Sequence, residues 1–195
     1  MNCRILVDNV GGWTGITVNG KMSIRQLYTQ IRPQVEKVTW KRIICNNRAF
    51  AKSVFITWLA IWNRLVTKDR LTTLKITCDP LCFFCASTAE SVSHLFFECS
   101  YSASIWNKIL QLLGFCRIGQ RFDSEVLWVL QQGRRATAKG RLLLMCFAET
   151  IHCIWIQRNT LMFTGDYKPA DIAFREVIFS VACRCIDSDR KYLYV

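Results

Sequence analysis

The sequence is short of acids. Fourteen Asp and Glu stand against 26 Lys and Arg, a net charge of +12. No pair of carboxylates stands out at a spacing suited to general acid–base work. Histidine is scarcer still, with two in 195 residues. One of them, His152, adjoins Cys153. Neighbouring side chains on a helix point about 100° apart, so the two do not form a nucleophile–base pair. No glycine loop fits a phosphate cradle. No Tyr-x-Asp-Asp and no adjacent Asp pair is present to hold the two metals of a polymerase. Long apolar runs are missing too. "LLLMCFAETIHCIWI" (Leu142 to Ile156) is interrupted by Glu149 and His152 and falls short of the ~20 apolar residues a membrane span needs. It reads as a buried helix. "MNCRILVDNV" is too short and too interrupted for a secretory signal. No internal repeat and no low-complexity linker divides the chain.

What is present is apolar and basic. Hydrophobic residues make up 51% and aromatics 12%, enough for a real core. The cationic excess points to polyanions, nucleic acid ahead of an anionic membrane face. Eleven cysteines form an odd set, and without a secretory signal they read as reduced thiols of an intracellular protein, nuclear or cytoplasmic. Most are then small core residues, and a minority can bind metal.

The pattern along the chain is mostly helical. Trp13 to Val18, ending at Asn19-Gly20, suggests a short hairpin. Ser23 with Gln26 is a capping-box pattern that starts a helix, which stops before Pro33. In "AKSVFITWLAIWNRL", Phe55, Trp58, Leu59, Trp62 and Leu65 make one apolar stripe, with Ser53, Thr57 and Arg64 on the opposite arc. Thr67 caps a short helix to about Lys75. Ile105, Trp106, Ile109, Leu112 and Leu113 line another helix, closed by Gly114. Further helices are expected at Ser124 to Gln132, at Ala136 to Phe163 with a stop at Gly165, and from Pro169 to about Ile186. The predicted fold is mainly α: a small helical domain with a short N-terminal β-hairpin. Its predicted parts are 1–34 (hairpin and helix), 35–114 (a helical module that carries a cysteine–histidine stretch, the expected zinc-binding module on the spacing given next) and 115–195 (C-terminal helical region).

Cys82, Cys85, His94 and Cys99 stand in the pattern C-x2-C-x8-H-x4-C. A CxxC pair in a tight turn brings two sulfurs to one tetrahedral ion, and Pro80 just before it favours a turn. Ser87 and Glu90 suggest a helix start, which puts His94 on a helix and Cys99 at its end. Three thiolates and an imidazole close a structural Zn2+ site with no position left for substrate. The metal is expected to pin the loop Leu81 to Ala86 onto the helix around His94 and to bury Leu95, Phe96 and Phe97. The alternative is that the three cysteines pack in the core while His94 donates to a carbonyl. Cys78, four residues before Cys82, is a second candidate ligand. Cys183 and Cys185 have no histidine near them and are assigned to packing.

The run "FITWLAIWNRLVTKDRL…CDPLCFFC…ESVSHLFFECSYSASIWNKIL" resembles the zinc-binding domain that follows the reverse transcriptase of plant LINE-type non-LTR retrotransposons. The matching residues are Phe55, Trp58, Arg64, Leu65, Thr67, Asp69, Arg70, Leu71, Cys82 and Cys85, then Glu90, His94, Leu95, Phe96, Phe97, Cys99 and Trp106. "IWIQRN" resembles that family's W-x-E-R-N, with Gln157 in place of Glu. The resemblance implies a non-catalytic C-terminal part of a retroelement polyprotein, or a gene derived from one.

From Arg32 to Lys75 there are ten basic residues and only two acids, Glu36 and Asp69, a surplus of eight. Basic side chains neutralise phosphates and aromatics stack on unpaired bases. Arg64, Lys68 and Arg70, which flank the metal loop, are the expected nucleic-acid contacts, joined by Lys52 and Arg48. Phe55, Trp58 and Trp62 share one stripe and are expected in the core. Arg134, Arg135, Lys139 and Arg141 form a second, weaker basic group. The expected function is a zinc-stabilised module that binds RNA or single-stranded DNA, with no membrane partner. The alternatives are a protein–protein module docking a reverse transcriptase domain or its own copy, and a decayed retroelement fragment without activity.

Overall fold

The computed structural model describes residues 12, 17–18, 21–31 and 38–193. The chain divides into two compact units, Met1–Val38 and Thr39–Val195. In the first, strands β1 (Thr17–Val18) and β2 (Lys21–Met22) pair antiparallel, Thr17 opposite Met22 and Val18 opposite Lys21. Helix α1 (Ile24–Ile31) follows, and Leu27 N donates to Ser23 O. The expected hairpin and helix start are both present. The rest of the expected hairpin and the stop at Pro33 lie outside the described residues.

The second unit is helical: α2 (Lys41–Ile44), α3 (Ala51–Ile61), α4 (Lys68–Thr73), a π-helical turn (His94–Glu98), α5 (Ser100–Leu112), α6 (Phe122–Gln132), α7 (Ala138–Thr164), α8 (Ala170–Arg184) and α9 (Asp187–Arg190). α7 is the axis, contacted by α3, α5, α6, α8, α9 and the π turn. Every residue from Leu142 to Ile151 is buried, so this stretch is enclosed on all sides. Its start is capped: Thr137 Oγ1 accepts from Gly140 N at 3.1 Å. Gly140 cannot be another residue without a shift, since a Cβ there meets the Arg134 carbonyl oxygen at 2.2 Å. Its end is set by Gly165, left-handed at φ 75°, whose N–H returns to Leu161 O. Phe97, Trp106 and Phe122 pack against Phe147 of α7, rings 5.5–6.5 Å apart.

One carboxylate is embedded beside this cluster. Glu125 receives Trp106 Nε1 at 2.9 Å, Gln120 N at 2.6 Å and a bidentate fork from Arg117 at 2.8 and 2.6 Å. All its acceptor capacity is used, which is what makes its burial tolerable.

Helix α3 is rotated from the sequence-based expectation: Leu65 beyond its end is buried as expected and Trp58 and Leu59 are half-buried, but the rest of the stripe is turned outward. Ser53, Thr57 and Ala60 face inward, while Phe55 is 55% and Trp62 47% exposed. The reason is Glu149 of α7. Its carboxylate is buried, and Ser53 Oγ and Phe50 N donate to it, both at 2.7 Å. Thr57 Oγ1 returns to Ser53 O at 2.8 Å. Burial still pushes the Glu149 pKa up against these bonds. A buried carboxylate without donors costs more than leaving two aromatic rings half in water. Small residues on the facing arc also let α3 approach α7 closely. In the last turn of α7, Met162 is 45% exposed.

Candidate metal centre

The segment between α4 and α5 carries little regular structure. An isolated antiparallel bridge joins Leu81 to Ala89, and Cys82 N donates to Thr88 O. Within this loop Ala86 N donates to Cys82 O and Ala86 is left-handed at φ 50°. That tight turn brings Cys82 and Cys85 to one side. Ser87 and Glu90 do not start the next helix. Helical backbone begins at Val92, and the capping oxygen is Ser91 Oγ, which accepts from His94 N at 3.2 Å. Glu90 is unavailable because its backbone N–H goes to Pro80 O. The π turn then follows, with Cys99 N donating to His94 O at 2.7 Å. A π turn advances by five residues, which places Cys99 beneath His94.

The result is a cluster of four. One donor atom from each of Cys82, Cys85, His94 and Cys99 lies within 4.8 Å of the others. Cys82 Sγ is 3.9 Å from Cys99 Sγ, and Cys85 Sγ is 3.3 Å from His94 Nε2. Bonds of about 2.3 Å to sulfur and 2.0–2.1 Å to nitrogen in a tetrahedron require about 3.8 Å between sulfurs and about 3.6 Å between sulfur and nitrogen. These two spacings match that demand to within a few tenths of an ångström, and the remaining pairs lie within 4.8 Å. The cluster can hold a metal ion, and its sulfur-rich donor set suits zinc. Cys78 is not among the four; its sulfur is 3.9 Å from Lys68 O. Leu95, Phe96 and Phe97 are buried, as expected.

The electrostatics of the cluster favour a cation. The hydrogen bond shared with Cys99 draws the Cys82 pKa down from 9.0 to about 5. The same bond, with burial, pushes Cys99 up. The two sulfurs thus hold one proton between them, because two bare thiolates this close repel. Burial opposes ionisation of Cys85, yet bonds from Ser87, Thr88 and His94 outweigh it and lower its pKa.

The loop is anchored by a network that sequence reading did not find. Glu90 is fully buried. Arg158 of α7 donates to it, Nη2 to Oε1 at 2.8 Å and Nε to Oε2 at 3.4 Å. Lys68 N, at the start of α4, donates to Oε1 at 3.1 Å, and Asp69 N donates to Glu90 O. Phe83, inside the CxxC turn, lies under two cations: Lys68 Nζ at 3.8 Å and the Arg158 guanidinium at 4.8 Å from its ring centroid. The signal was in the sequence. Glu90 belongs to the motif that holds His94, and Arg158 to "IWIQRN". Their partnership across 68 positions was not visible. Gln157 beside it has a different task, accepting from Lys168 N at 2.9 Å.

The five basic residues expected to meet phosphates fall in different settings. Arg48, Lys52 and Arg64 are exposed. Arg70 is half-buried and donates to Asn63 O at 2.7 Å. Lys68 is buried; its ammonium donates to Leu81 O at 2.6 Å and faces Asp79 at 3.6 Å. That lysine serves the metal loop. Cys183 is exposed and Cys185 buried.

Residues 22–106 match the family model described as zinc-binding in reverse transcriptase. Over this stretch, less than half of the chain, the sequence is similar to the zinc-binding domain of reverse transcriptases. All four clustered residues lie inside it. The matched stretch of the zinc-binding domain ends at Trp106, within α5, whereas Arg158, which anchors its loop, comes from α7. No curated protein and no solved structure matches the chain significantly. No helix among the described residues is long and apolar enough to cross a membrane.

Proposed function

We propose that Cys82, Cys85, His94 and Cys99 hold one structural zinc ion, and that the protein is a non-catalytic module derived from a non-LTR retrotransposon that binds RNA or single-stranded DNA. The observation that carries the reading is the convergence of three sulfurs and one imidazole within 4.8 Å, inside the matched zinc-binding domain. Such a set occupies every tetrahedral position, so the metal shapes the fold and offers no site to a substrate. The family concerned is a zinc-binding one and not the polymerase catalytic domain, in keeping with a non-enzymatic role.

The nucleic-acid part is supported by charge. A surplus of twelve positive charges favours a polyphosphate partner. Arg48, Lys52 and Arg64 present theirs to solvent. Phosphate contacts make binding salt-dependent and indifferent to sequence. Filter binding of RNA and single-stranded DNA at two salt concentrations tests this. Affinity that falls steeply with salt supports it; no binding at micromolar protein refutes it.

A protein partner is the second reading, favoured by one feature. A groove of about 530 Å³ between α7 and α8 is largely apolar, with Ile156 and Phe179 exposed along it. Failure to bind nucleic acid, together with self-association or capture of a reverse transcriptase domain, would favour that role.

A further inference from the structure

The two basic groups of the sequence are separate in the chain and adjacent in space. Arg135 Nη2 donates to Arg42 O, 93 positions away, at 2.9 Å, and also to Cys45 O. Arg42 Nη1 donates to Leu130 O at 2.9 Å. Between them opens a cleft of about 360 Å³, walled by Thr39, Lys41, Arg42, Asn46 and Arg135. No carboxylate lines it among the described residues. Among the described residues the two guanidiniums bond only to backbone carbonyls, and no carboxylate there neutralises their charge. The Lys41 ammonium has no partner among the described residues, and Arg135 Nε is buried without one. In contrast, the charge of nearby Arg141 is spent on Asp189, by two bonds of 2.6 and 2.7 Å.

An aromatic path leads away from this cleft. Trp40, between the cleft residues Thr39 and Lys41, packs edge-on against Trp62 at 5.8 Å. Trp62 is 47% exposed, and the Arg64 guanidinium lies 5.8 Å from its ring centroid. A half-exposed indole beside a cation is what an unpaired base stacks on; a paired base has its faces covered.

Building on the nucleic-acid reading above, we infer that a single strand lies along this track, with phosphates in the cleft at Lys41, Arg42 and Arg135 and a base on Trp62. Contact is thereby moved away from the metal loop, where Lys68 is already engaged, and toward the seam between α2 and the turn before α7.

Fluorescence anisotropy with labelled oligouridylate and oligodeoxythymidylate, over a salt series, tests it. Each phosphate contact to a single strand contributes about 0.7 to the log–log salt slope, so Lys41→Ala with Arg42→Ala lowers the slope by about 1.4. Trp62→Ala weakens binding about tenfold and leaves the slope unchanged. Arg175→Ala, exposed on α8, is the control and changes neither. Lys41→Glu breaks no side-chain bond among the described residues, and zinc content and the circular dichroism melt separate lost binding from unfolding in every variant. Equal use of the two sugars, or a preference for either, fits the track. Duplex DNA bound as tightly as a single strand, with Trp62→Ala silent, overturns it. So does binding lost in Arg64→Ala and Arg70→Ala but intact in the Lys41 and Arg42 variants, an outcome that leaves the nucleic-acid function standing. A wild-type protein that binds neither strand at low salt removes both.

Discussion

The segment from Leu81 to Cys99 and the helix α7 each have a buried part, held in place by different means. α7 is enclosed from Leu142 to Ile151, where apolar side chains dominate and Glu149 is the one charged residue, and its order follows mainly from area removed from water. The loop is held by polar groups that must find one another: a buried carboxylate, a buried arginine, a buried lysine and four candidate metal ligands. Apolar packing is forgiving, since neighbours adjust. A polar network is not, because each group left unpaired costs its own desolvation. The loop therefore depends on a few atoms, and α7 on many.

The largest effect expected from this contrast comes from the metal. Cys85→Ser, or chelation, forfeits on the order of 10 kcal/mol of apparent binding energy. Hydrogen exchange is expected to accelerate across 81–99 while the amides of α7 stay protected; equal loss in both regions would break the contrast. Acid works in the same direction. The folded-state pKa of Cys82 is lowered from 9.0 to about 5, so its thiolate contributes stability above the ordinary value that is lost as pH falls through about 5. Next comes Glu90→Ala, which strands Arg158 in the interior and costs about 3–5 kcal/mol in urea unfolding. In α7, Leu143→Ala costs about 2–5 kcal/mol with zinc content unchanged. The smallest effects lie on α3. Ser53→Ala removes a donor from buried Glu149 and costs about 1–3 kcal/mol, whereas Phe55→Ala, on the exposed face, stays within about 0.5 kcal/mol. A larger loss at Phe55 than at Ser53 would restore the orientation that hydrophobic periodicity suggested.

That rotation of α3 marks where sequence stops being readable. The α-helical character, the ends of α5 and α7, and the left-handed stop at Gly165 follow from local rules of spacing and capping. The four clustered residues were also legible, because ligand spacing is a local property of the chain. What was not legible depends on partners distant in sequence. The inward face of α3 is decided by Glu149, 96 positions from Ser53. The Glu90–Arg158 pair spans 68 positions. Lys68 looked like a surface cation until the loop folded over it. Each of these is a polar residue whose burial is set by one remote group, which periodicity does not report.

Zinc K-edge X-ray absorption on the purified protein, with metal content measured on the same sample, bears on the central claim most directly. The account predicts one zinc per chain with three sulfurs at about 2.3 Å and one nitrogen at about 2.0–2.1 Å. A folded protein that carries no zinc after refolding in its presence, or a zinc shell dominated by oxygen, would contradict it.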